Sequence, residues 1–195
     1  DRVYSDDEIK ALWKTFDGMG ISGQVFKLCL TTGQRLNECA AMEHSEISSN
    51  EWTLPAVRSK NKRPNVIPLS NLALEVVSNA PNLSETYVFG SPSGATGDVP
   101  IQHFSTARKR VRKLSGVSDF RIHDLRRTCA TNLTKLGFGR FIADCVLNHA
   151  QQGVGRVYDR YEYLKEKTEA LDAWSTRLQA ILAENVVSIG SMKKA

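Results

Sequence analysis

Apolar residues recur along this chain first at helical spacing, then briefly at strand spacing, then at helical spacing again. Ser5-Asp6-Asp7-Glu8 is a capping box, and Ile9, Leu12, Trp13 and Phe16 follow on one face until Gly18, which predicts an opening helix. A second helix is expected from about Ile21 to Thr32, with Val25, Phe26, Leu28, Cys29 and Leu30 largely apolar and Gly33 as terminator. A shorter helix through Leu36 to Met42 follows. Between Glu46 and Leu69 the period shortens. Trp52, Thr53 and Leu54 face Val66, Ile67 and Leu69 across a polar, basic turn, the pattern of a small antiparallel sheet.

Helical spacing returns after Ser70, which can cap a helix through Leu72, Leu74, Val76 and Val77. The stretch Gly90 to Pro100 reads as the longest loop, placed to close over bound substrate. Pro100 suits the first turn of a helix running to about Leu114. Asp124 can cap a helix from Leu125 to about Leu136, and Phe138 to Leu147 forms another. A last helix from about Tyr161 carries Leu164, Leu171, Trp174, Leu178, Ile181 and Leu182 as a stripe. The fold class is therefore α+β, mainly α-helical with a small antiparallel β-sheet.

Composition narrows this picture. At 195 residues and 41% hydrophobic, one compact domain with a sizeable core is expected. A net charge of +5 and a pI near 9.1 point to a polyanionic partner. Two runs concentrate that charge: Arg58, Lys60, Lys62 and Arg63 within residues 58–63, and Arg108, Lys109, Arg110, Arg112 and Lys113 within 108–113. Such runs neutralise backbone phosphates, and both are expected to contact DNA, as is Arg127. Cys29, Cys39, Cys129 and Cys145 lack C-x-x-C spacing and read as reduced core thiols of a cytosolic-type compartment. Neither a transmembrane run nor a signal peptide is evident, so no membrane partner is expected.

The residues with chemistry are scattered but ordered: Arg35, Lys60, His123, Arg126 and His149, with Tyr158 nine positions after the last histidine. Two arginines, two histidines and a lysine can surround one phosphodiester with donors and positive charge, as a transition state with extra negative charge on phosphorus requires. The tyrosine would attack it. His123 and Arg126 flank one helix N-terminus, whose amides and dipole already favour a phosphate. Glu38, three residues from Arg35, is near enough to hold its guanidinium.

In this order and at these separations the residues resemble the catalytic domain of the tyrosine recombinases, most closely the phage and genomic-island integrases, over about Val3 to Trp174. The resemblance implies site-specific recombination, integrating or excising a prophage or genomic island through a 3′-phosphotyrosyl intermediate without metal or cofactor. It makes Tyr158 the nucleophile, Arg35 and Arg126 the holders of non-bridging oxygens, and Lys60 the general acid. His123 would contact the phosphate and help take the tyrosine proton, and His149 would donate to another oxygen. Lys62 competes with Lys60, and Tyr161 and Tyr163 with Tyr158; Asn148 stands where relatives commonly have glycine.

The same resemblance implies a catalytic domain over 1–183 with a tail at 184–195, preceding DNA-binding domains absent from this chain, and a bacterial cytoplasmic location. Double-stranded attachment-site DNA is the implied partner, with a homotetramer in the full-length protein and accessory DNA-bending or excisionase proteins. The stripe from Leu164 to Leu182 can pack in its own subunit or exchange between subunits. Rival readings are a catalytically inactive DNA-binding regulator and a type IB topoisomerase-like activity. Gly18-Met19-Gly20-Ile21-Ser22-Gly23 matches G-x-G-x-x-G, but a helix precedes it where a dinucleotide site needs a strand. His44, His103, His123 and His149 lack zinc-site spacing, and no metal is expected.

Overall fold

The computed structural model describes residues 2–91, 98–149 and 163–183. Tyr158, Tyr161, most of the Gly90 to Pro100 loop and the tail from 184 lie outside the described residues. The elements run α1 (Asp6–Asp17), α2 (Gly20–Thr32), α3 (Leu36–Ala40), a 3-10 turn at His44–Glu46, β1 (Ile47–Ser48), β2 (Glu51–Leu54), β3 (Asn65–Pro68), α4 (Asn71–Ser78), α5 (Ser105–Ser115), α6 (Ile122–Lys135), α7 (Gly139–Val146) and α8 (Leu164–Ala183). A mainly helical domain with a small antiparallel sheet is what the hydrophobic pattern predicts.

The capping box forms as expected, with Glu8 N donating to Ser5 Oγ at 3.3 Å and Ser5 N to Glu8 Oε2 at 3.0 Å. The G-x-G-x-x-G stretch is a helix-to-helix turn. Gly20 takes φ +56°, and a Cβ on Gly23 would sit 2.0 Å from the Phe16 carbonyl, so glycine here lets α1 and α2 touch. From Val25 to Gln34 every residue of α2 and its terminating turn is buried, and α2 packs on α1, α3, α4, α6 and α8. Leu171, Trp174, Leu178 and Ile181 of α8 complete the same core, and Trp174 Nε1 donates to the Leu30 carbonyl at 2.9 Å. The α8 stripe is thus used within its own subunit.

The sheet has strand order β1-β2-β3, with Trp52 opposite Ile67 and Leu54 opposite Asn65. Residues 55–64 form the connection that carries Lys60. Lys167, 3% exposed, ties α8 to this sheet by donating to Asn65 Oδ1 at 3.2 Å and to the Val66 carbonyl.

Two helices begin elsewhere than the sequence suggests. Pro100 lies in a bridge opposite Gly90, and α5 starts only at Ser105, because His103 takes φ +63° and interrupts any helix there. Asp124 does not cap α6; Arg121 does, and Asp124 is fully buried in the first turn, where Oδ1 accepts from Arg127 Nη1 at 2.6 Å. Tyr4 explains the shift, since its hydroxyl donates to the Arg121 carbonyl and accepts from the Arg121 amide, both at 2.9 Å, fixing the chain just before the helix. Cys29, Cys39 and Cys129 are buried free thiols as expected, whereas Cys145 is only partly buried.

Candidate active site

Arg35 reaches the surface because α2 stops abruptly. Gly33 takes φ +70° as the helix C-cap, and a Cβ there would meet Leu147 Cδ2 at 2.8 Å and Cys129 Sγ at 3.1 Å. Two residues later Arg35 caps α3. Its guanidinium donates to Glu38 Oε1 at 3.0 Å and its amide to Glu38 Oε2 at 3.2 Å. Glu38 is 3% exposed, so the carboxylate works in a poorly solvated setting where a charge-assisted bond is firm.

The same Glu38 oxygen that holds the Arg35 guanidinium accepts from the Lys60 amide at 3.3 Å. Lys60 and Arg35 are therefore held by one carboxylate, while the Lys60 side chain is exposed. Lys62 takes φ +53° and has no such link to Glu38 among the described bonds. Arg58, expected to contact DNA, is instead committed internally. Its guanidinium pairs with Glu46, with Nε to Oε1 at 2.8 Å, and its Nη1 donates to the Glu38 carbonyl at 3.4 Å. Glu46 also accepts from Trp52 Nε1 at 2.9 Å, so Arg58 is a strut between sheet and site rather than a free cation.

Arg126 is 4% exposed and bridges two chain reversals, donating to the Gly33 carbonyl at 2.7 Å and the Leu147 carbonyl at 2.6 Å. Burial first, and then the charge of Arg35, push its pKa down to about 10, which leaves it a cation at neutral pH. His123, one turn earlier and exposed, has its pKa lowered from 6.5, by partial burial first and then by Arg127 and Arg126. At neutral pH it is a neutral ring able to accept a proton.

His149 is exposed just beyond α7, and its Nδ1 lies 2.8 Å from Asp144 Oδ1, while its amide donates to the Asp144 carbonyl at 2.9 Å. The Asp144 carboxylate thus fixes the orientation of the His149 ring. His123, Arg126, Arg127, Asp144, Leu147 and His149 all line one groove of about 740 Å³ between α6 and α7. Arg35 acts electrostatically on both His123 and Arg126, so it shares their surroundings.

Of the remaining cations, Arg108, Lys109, Arg110 and Lys113 are exposed on α5, whereas Arg112 Nε donates to the Phe120 carbonyl at 3.0 Å. None of the described bonds joins these α5 residues to the clamp. Arg63 is partly buried, and Arg127 pairs with buried Asp124. Among the described residues no cluster of His, Cys, Asp or Glu is arranged to hold a metal ion.

Sequence reasoning missed Asp144, whose position five residues before His149 carries no motif, and the two carbonyls that seat Arg126. It also missed what Asn148 and Tyr4 do. The one signal at Asn148 was an asparagine where glycine is common.

Residues 3–164 match the family model described as the phage integrase family. The chain is 30% identical over 189 residues to prophage integrase IntA of Escherichia coli (strain K12), covering 93% of this chain and 45% of that protein. It is 28% identical over 191 residues to prophage integrase IntZ of the same strain, covering 91% and 45%. The chain thus spans less than half the length of these relatives. Among solved structures it resembles XerA recombinase (TM-score 0.63, 18% identity, 91% of this chain and 63% of that one). It also resembles XerH site-specific recombinase bound to its difH substrate in a pre-cleavage complex (TM-score 0.57, 16% identity, 85% and 53%). At these identities the structural likeness speaks for the fold.

Proposed function

The chain belongs to the phage integrase family, and from that premise we propose that it is the catalytic domain of a tyrosine-type site-specific recombinase that integrates or excises a prophage or genomic island. The observation that carries the reading is the shared groove of His123, Arg126 and His149, with Arg35 and Lys60 joined beside it through Glu38. Five cationic or donor side chains from four parts of the chain have one common use, a single phosphodiester.

In the proposed step the Tyr158 oxygen forms a bond to phosphorus as the bond from phosphorus to the 5′-oxygen breaks. The tyrosine proton passes to neutral His123, and Lys60 gives a proton to the departing 5′-oxygen. Arg35 and Arg126 hold the non-bridging oxygens with rigid forks, and His149 donates to the same group. The energy of the phosphodiester stays in the phosphotyrosyl bond, so rejoining to another 5′-hydroxyl needs no nucleotide. Double-stranded attachment-site DNA is the proposed substrate, and XerH bound to its substrate supports DNA as the partner class. A tetramer on two duplexes, accessory DNA-bending or excisionase proteins, and a place in the bacterial cytoplasm complete the proposal.

The test is a nicked suicide substrate, which traps the covalent intermediate. Wild-type protein forms a protein–DNA adduct resistant to denaturation, Tyr158→Phe forms none, and EDTA leaves the yield unchanged. Loss of the adduct in EDTA would instead support a metal-dependent nuclease. Retention in Tyr158→Phe would move the nucleophile to Tyr161 or Tyr163.

A further inference from the structure

Asn148 sits in the left-handed region at φ +49°, a conformation glycine adopts freely, yet here it carries a side chain with a defined task. Its Nδ2 donates to Ser59 Oγ at 3.1 Å and to the Arg63 carbonyl at 3.4 Å. Asn61 Nδ2 reciprocates by donating to the Asn148 carbonyl. These three bonds cross from the residue before His149 to both flanks of Lys60. Ser59 is 4% exposed, so its hydroxyl is seated inside the loop rather than on its rim.

The Lys60 loop is consequently held from two sides. Glu38 takes the Lys60 amide on the Arg35 side, and Asn148 grips Ser59 and Arg63 on the His149 side. A ten-residue connection, 55–64, with an exposed lysine has many conformations to lose before that lysine can meet a leaving oxygen. A loop already fixed at Ser59, Lys60, Asn61 and Arg63 has lost them beforehand.

We propose that Asn148 is a positioning residue for the acid step: it locks the 55–64 loop against the His149 turn, so that Lys60 is pre-set beside the scissile phosphate. The proposal deepens the function proposed above and rests on Lys60 serving as proton donor. Its chemistry offers a direct discrimination. A 5′-oxygen must leave protonated, whereas a 5′-bridging sulfur leaves as a thiolate, stable near neutral pH because a thiol pKa is about 8.5. A defect in the acid step disappears with the sulfur substrate, and a general defect of folding or DNA binding does not.

The experiment compares wild type with Asn148→Gly, which keeps the backbone angle accessible and removes only the side-chain bonds. Single-turnover cleavage of the oxygen-linked suicide substrate is expected to slow by about tenfold, the loss associated with one well-placed hydrogen bond. Cleavage of the 5′-bridging phosphorothiolate is expected to stay within about twofold of wild type. Equal slowing on both substrates, or no slowing on either, overturns the proposal. Hydrogen exchange supplies a readout that does not depend on cleavage. In Asn148→Gly the amides of Lys60 and Lys62, which donate to Glu38 and Ser59, are expected to exchange faster while the α2 and α6 amides do not. Unchanged exchange at 60 and 62 also overturns it. If wild type forms no adduct with either substrate, the function proposed above fails, and the exchange result alone decides whether the lock exists.

Discussion

Arg126 shows how little latitude a single residue has in this site. Two of its donors are committed to the Gly33 and Leu147 carbonyls, and the rest of the guanidinium is left to face the groove. Lysine cannot satisfy both carbonyls from one nitrogen and still present a fork. Arg126→Lys should therefore lower stability by about 1–3 kcal/mol through an unpaired buried carbonyl. It should also cut adduct formation by ~10²-fold or more, because a donor to the developing oxyanion is gone. Chemical denaturation and single-turnover cleavage read the two effects separately. His123 gives the pH signature. Its folded pKa lies below 6.5, so the unfolded chain binds the proton more tightly. Its contribution to stability is complete above 6.5 and is lost as pH falls toward the folded value. The cleavage rate follows the folded protein alone, so it should fall as pH drops through that lowered folded value, and the limb should vanish from the profile of His123→Asn.

At the scale of elements, the turn between α2 and α3 concentrates the most constraint. Gly33 combines φ +70° with close packing against Leu147 and Cys129, and its carbonyl seats Arg126. Gly33→Ala should destabilise the domain by ~2 kcal/mol or more, the scale of a strained backbone together with overpacking. The loss should appear as a lower denaturation midpoint with an unchanged slope. The helices themselves were legible because their punctuation is local: Ser5 with Glu8 opens α1, and Gly33 closes α2. The two misplaced starts were set from a distance or by one backbone angle. Arg121 begins α6 because Tyr4, far away in sequence, holds it, and His103 delays α5 by its own positive φ. The candidate clamp residues could be named from their types and order, since only certain side chains can serve a phosphate. What seats them could not. Gly33 and Leu147 contribute carbonyls, which have no residue-type signature, and the Glu46 partner of Arg58 lies twelve residues away across the sheet. A basic run alone cannot reveal which of its members is already neutralised.

At the scale of the whole molecule, α5 carries the densest run of exposed basic residues among the described residues, with Lys60 and Lys62 exposed on the 55–64 loop. Replacing Arg108, Lys109 and Arg110 together by alanine should weaken duplex binding on every sequence. It should also reduce the slope of log K against log salt by up to about 3, near 0.9 for each phosphate that is no longer neutralised. Titration by fluorescence anisotropy at several salt concentrations measures that slope, and an unchanged slope would remove α5 from the DNA-facing surface. The core has its own test. Trp174 is fully buried and bonded to the Leu30 carbonyl, so Trp174→Ala should cost ~3–5 kcal/mol, a cavity-scale loss visible in the thermal midpoint.

The place of α8 has a further consequence for how the protein is made. Its stripe closes against β3, α1, α2, α4, α6 and α7, elements completed much earlier in the sequence. During translation those segments leave the ribosome without the partner that shields them. The nascent chain therefore stays open, with α2 uncovered along one side, until the residues up to Ile181 have emerged, and a message truncated within this helix would yield a product for proteolysis rather than a folded domain.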